Sequence, residues 1–105
     1  MRIDFDRSGG FAGIRLSATL DTDALAAQQA AQLQNLIDDA DFFGLPGRLM
    51  PETAMPDAFE YHVQISSAHR THAIVAAEGS IPDGLRPLLD YLTSLSILYK
   101  QKPGQ

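Results

Sequence analysis

The chain has 105 residues, 45% of them hydrophobic, a formal net charge of −5 and no cysteine. That length holds one domain with one modest core, and that hydrophobic fraction is too high for a disordered chain. The acidic balance argues against nucleic acid or an anionic membrane as partner, and the missing cysteines exclude disulfides, Cys-ligated zinc and thiol catalysis.

The N-terminal MRIDFDRSGG carries no apolar signal core, and no run approaches the roughly 20 apolar residues of a membrane helix. A soluble, cytoplasmic protein is expected. Residues 2–6 and 11–20 read as two strands around Gly9 and Gly10. A two-residue Gly-Gly loop, which tolerates positive φ at both positions, would set Phe5 opposite Ile14 and Ile3 opposite Leu16. Asp4 would then face Arg15 across the other side as an opposite-charge pair.

From Thr22 to Ala40 the period becomes helical, with Leu25, Leu33, Leu36 and Ile37 on one face. Asp21 or Thr22 can cap this helix, whereas Asp38, Asp39 and Asp41 stand at its unfavourable end as solvated polar residues. DFFGLPGRLMPETAMPD, residues 41–57, is broken by Pro46, Pro51, Pro56, Gly44 and Gly47, and is expected to hold no regular element. It is too apolar for a plain linker: Phe42, Phe43 and Leu45 should plug the core at the helix end. Residues 59–67 and 71–77 read as a second hairpin with Ala68-His69 as its loop, pairing Ile74 with Val63 and Ala76 with Tyr61. A last helix begins near residues 83–86, with Pro87 in its first turn and Leu85, Leu88, Leu89, Leu92, Leu95 and Leu98 buried. The order is ββαββα, an α+β fold. It predicts a four-stranded, mostly antiparallel sheet with two helices on one face, as a single domain over 1–105 with a flexible tail at 100–105.

Little in the chain is assembled for bond chemistry. His62, His69 and His72 lack metal-ligand spacing, and on one strand His69 and His72 would point to opposite faces. No serine sits in a GxSxG elbow, and SGGFAG is neither GxGxxG nor placed before a helix. The expected protein is no enzyme and holds no cofactor or metal. What it offers instead is geometry. Segments 7–11, 47–56 and 78–83 should gather at one end of the sheet if the third strand descends from that end, and loops on a rigid sheet commonly carry binding.

Taken together, SGGFAGI after a short first strand, the Leu- and Gln-containing helix, FFGLP, PDAFEYHVQI and IPDGLRPLLDYL resemble the emfourin family. Those proteins are small bacterial inhibitors of thermolysin-like (M4) metallopeptidases, often found beside protealysin-like proteases. The resemblance spans Ile3 to about Leu92. It implies an inhibitor of a zinc peptidase that carries no zinc, presenting a bulky apolar side chain from a stiff loop to the cleft. The contact candidates are Ser8, Gly9, Gly10 and Phe11 at the Gly-Gly turn, with Leu49, Met50 and Met55 in the proline-rich segment. The expected partner is an M4 metallopeptidase, and the expected state a monomer or weak homodimer. Two other readings stand beside this one: an interaction module without a protease target, and a small-molecule or metal-binding regulatory domain around the histidine hairpin.

Overall fold

The computed structural model describes residues 1–9, 15–51 and 58–98. Five strands form one mixed sheet in the order β2-β1-β4-β5-β3. They are β1 (Arg2–Gly9), β2 (Leu16–Asp21), β3 (Arg48–Leu49), β4 (Phe59–Ser66) and β5 (Thr71–Ala77), with helices α1 (Ala27–Ala40) and α2 (Arg86–Leu98). All neighbours are antiparallel except β3, which runs parallel to β5.

Alternation decides the faces. Ile3, Phe5, Leu16, Leu20, Tyr61, Val63, Ile65, Ile74 and Ala76 point to one side and are buried with Leu33 and Ile37 of α1 and Leu88, Leu89, Leu92 and Leu95 of α2. The molecule is accordingly thin, 39 × 36 × 19 Å, one sheet under one helical layer. The second hairpin has the expected register, with Val63 opposite Ile74, Tyr61 opposite Ala76 and the turn at Ala68-His69.

The first hairpin differs. Ile3 lies opposite Leu20 and Phe5 opposite Ala18, a slip of four residues from the two-residue-loop register. The chain between the last paired residues, Arg7 and Leu16, is longer than a Gly-Gly turn. An even slip keeps every side chain on its face, so the hydrophobic pattern does not distinguish the two registers. The charge pair moves with it: Arg15 binds Asp6, at 2.6 Å from Nη2 to Oδ2, and Asp4 pairs instead with Arg2 and Thr19.

Two further expectations change. Asp21 caps a short 3-10 turn, Thr22–Ala24, by accepting the Asp23 N–H at 2.9 Å, and α1 starts only at Ala27. Within the proline-rich segment Arg48–Leu49 adds a fifth strand to the sheet, with the Val75 N–H donating to the Gly47 carbonyl at 2.9 Å. Pro46 and Pro51 bracket this strand rather than interrupt it, so neither removes a bond from the ladder.

Candidate functional site

The ends of the strands define two rims. At one, β2 finishes, β4 turns into β5, and α1 delivers Phe42. Phe42 is buried, meets Phe43 edge-on at 5.5 Å and His72 at 5.6 Å, while Nε2 of His72 donates to the Leu45 carbonyl at 2.7 Å. Helix α1 therefore ends at this rim and does not return the chain to the other. That return is made by β3, which climbs alongside β5.

The opposite rim gathers the end of β1, the end of β3, the start of β4 and the end of β5. Gly9 lies opposite Phe59, the Phe59 carbonyl accepts from the Glu78 N–H at 3.1 Å, and Leu49 lies beside Ala76. The described residues of the three expected segments thus meet here through Gly9, Leu49 and Glu78. Ser8 stands on the uncovered face opposite Glu60, and Gly9 is at the strand end. Leu49 is half-buried and packs on the core, and Met50 follows it half-buried. Gly10, Phe11 and Met55 lie outside the described residues.

Gly9 has φ +94°, and a Cβ there would sit 2.6 Å from the Ala58 carbonyl oxygen. Only glycine allows the backbones to approach this closely at that angle. On the helix-covered side, the Arg7 guanidinium stacks over the Phe59 ring at 4.3 Å, with Nε buried and without an acceptor. Arg7 shares the inward-facing row of Ile3 and Phe5. That alternation was the sequence signal for an arginine needing an aromatic neighbour, and reading the glycines alone missed it.

Beside it, Tyr61 donates its hydroxyl to Glu78 at 3.3 Å, and Arg86 grips both Glu78 carboxylate oxygens, at 2.9 and 3.3 Å. The Arg86 hydrogen bond and charge hold the Glu78 carboxyl below its ordinary range, and burial, with the Glu78 charge, pushes the Tyr61 hydroxyl up. This network fastens the segment between β5 and α2 to the sheet. It is an arrangement for holding loops, and it presents no nucleophile with an adjacent base.

The histidines do not converge. His62 faces the uncovered side, 3.1 Å from Glu60, His72 faces the helices, and His69 is exposed in the turn. Among the described residues no three His, Asp or Glu side chains gather as a metal site.

The Emfourin family model matches residues 5–93. The chain belongs to the emfourin family. The matched span runs from Phe5 in the inward row of β1 through the rim into α2, and contains all of the buried hydrophobic core except Ile3 and Leu95. No curated protein and no solved structure matches. Emfourin membership points to a protease inhibitor rather than a catalyst.

Proposed function

We propose that this chain inhibits a thermolysin-like (M4) zinc metallopeptidase by blocking its cleft with the rim that carries Gly9, Met50, Phe59 and Glu78. Membership of the emfourin family carries this reading. The rim supports it physically. Three segments are held there by strand pairing and by the Tyr61–Glu78–Arg86 network, which lowers the ordering cost of binding. Met50 and Phe59 supply half-buried apolar surface at its edge, and Met55 belongs to the adjoining segment.

Residual activity of a purified M4 peptidase on a small fluorogenic peptide, titrated with this protein, tests the proposal. Saturable inhibition is expected. Met50→Asp or Met55→Asp should weaken it about tenfold or more without unfolding the chain, as for a buried apolar anchor. Inhibition unchanged by both substitutions would move the contact to the Gly9 side of the rim. Failure against several M4 peptidases, including one encoded beside it, would sink the proposal and favour an interaction module.

A further inference from the structure

The two edges of the sheet are treated differently. The β5 edge is covered by β3 along Val75 and Ala76. The β2 edge is not: among the described residues no backbone hydrogen bond reaches its outer side. The Thr22 N–H donates to the Met1 carbonyl at 2.9 Å, which sets the alternation of the β1–β2 ladder. Leu16, Ala18 and Leu20 direct their backbone groups to β1, and Ser17, Thr19 and Asp21 direct theirs outward. Strand β2 also lacks the usual protections of a free edge, since it contains no proline and no lysine.

We propose that the β2 edge binds a second copy of this chain, antiparallel about a two-fold axis at Ala18. The sequence of the edge is complementary to itself in that register. Leu16 falls opposite Leu20 of the second copy on the helix side. Ser17 falls opposite Thr19, and Arg15 opposite Asp21, on the uncovered side. Like faces meet, and the outward N–H and C=O groups of Ser17 and Thr19 meet as a hydrogen-bonded pair. Slipping by two residues in either direction removes the Arg15–Asp21 pairing. Arg15 has reach for it: its side chain is 69% exposed even while bound to Asp6. Asp21 is exposed and accepts the Asp23 N–H through Oδ1, so Oδ2 has no partner in that cap.

The result is one continuous sheet with the two candidate rims pointing in opposite directions, each still accessible. A six-residue strand gives a small interface, so the dimer forms at high protein concentration and not as an obligate unit. This inference is independent of the protease reading.

Sedimentation equilibrium on the unmodified chain is the primary test, with a concentration-dependent rise from 11.4 kDa towards twice that mass expected. The register is tested with Ala18→Cys, the single thiol in a chain that has none. Across a non-hydrogen-bonded antiparallel pair the Cα atoms lie about 4.5 Å apart, within disulfide range. Under mild oxidant, Ala18→Cys should cross-link at least about tenfold faster than Ala31→Cys, which places the thiol on the exposed face of α1. Ser17→Pro removes an outward N–H and also the Ser17 hydroxyl's bond to Asp6, so Ser17→Ala is its control: the proline alone should abolish both the mass increase and the cross-linking of Ala18→Cys. A constant single mass at millimolar concentration overturns the proposal. So does a dimer that survives Ser17→Pro while Ala18→Cys cross-links no faster than Ala31→Cys, because it would use another surface.

Discussion

Gly9 combines a backbone angle and a close approach that no other residue type satisfies together. With φ +94° and the Ala58 carbonyl oxygen 2.6 Å from where a Cβ would lie, Gly9→Ala must shift either β1 or β4 at the rim. We expect a loss of about 1–3 kcal/mol, read as a fall in the thermal midpoint. Gly9→Asn should not rescue it, because the obstruction is backbone and not conformational preference alone. Arg7 is the complementary case. Its Nε is buried and unpartnered, and its guanidinium lies on Phe59 without a carboxylate partner among the described residues, although the chain carries 13 acidic residues. Arginine on an aromatic ring with free donors is a frequent interface anchor. If the rim is the inhibitory surface, Arg7→Met should keep the alkyl stem on Phe59 and remove the donors. Inhibition constants should then weaken about tenfold while the thermal midpoint stays nearly unchanged.

Helix α1 is stabilised more by packing than by its ends. Ala26 occupies its N-cap position and, lacking a side-chain oxygen, leaves the first N–H groups uncapped. Only the reverse half of a capping box forms, with Gln29 Oε1 accepting the Ala26 N–H at 3.3 Å. The Ala26 backbone is already extended, at φ −59° and ψ 147°, as an N-cap requires. Ala26→Ser should therefore stabilise the protein by about 0.5–2 kcal/mol, measured by urea unfolding, with no change in helix content at neutral pH. At the other end Asp41 adopts the left-handed C-cap conformation, φ 51°, and its N–H closes onto the Asp38 and Ile37 carbonyls. Asp38 and Asp39 are exposed, Asp38 accepting from Gln34 at 3.0 Å, so this acidic corner belongs to the helix surface and its termination. The strands show the same division of labour. β3 is only two residues long, yet it pairs with Val75 and Ala76 at the β5 edge and delivers the chain to the candidate rim.

The whole molecule is one sheet with one covered face, and its acid sensitivity follows from how the connecting segments are tied to it. Glu78 links β5 to α2 through Arg86 and to β4 through Tyr61. Its carboxyl is held below the ordinary range in the folded state, chiefly by the Arg86 hydrogen bond. The sign is that of a depressed acid: the stabilisation is complete above the unfolded-state pKa and is lost as pH falls through it and then through the folded value. Glu78→Gln should lower the urea midpoint at neutral pH and flatten its decline under acid. Parallel declines for the two proteins would show that the Glu78 pairing contributes nothing to acid unfolding. Asp6, lowered in the same way by Arg15, titrates in both proteins and so does not affect the comparison.

Period and alternation were enough to read which side of each element faces the core, and the second hairpin down to its pairing, because Ala68-His69 is too short to permit another register. They were enough, too, for the motifs that resemble the emfourin family and for the leucine stripe from Leu85 to Leu95, but not for Leu98, which is exposed in the last turn of α2. The first hairpin was not legible to the same depth. A slip of four residues leaves every face unchanged, and only the tertiary pairing of β1 with both β2 and β4 selects Ile3 opposite Leu20. Strand β3 was hidden for a related reason. Two residues between prolines have no period to detect, and they become a strand only because β5 presents an unfilled edge. The Arg7–Phe59 stack required residues far apart in sequence to be adjacent in space. Local pattern carries face and period, which are properties of one segment; register, edge covering and the composition of the rim are properties of segments meeting, and they exist only once the sheet has closed on its neighbours.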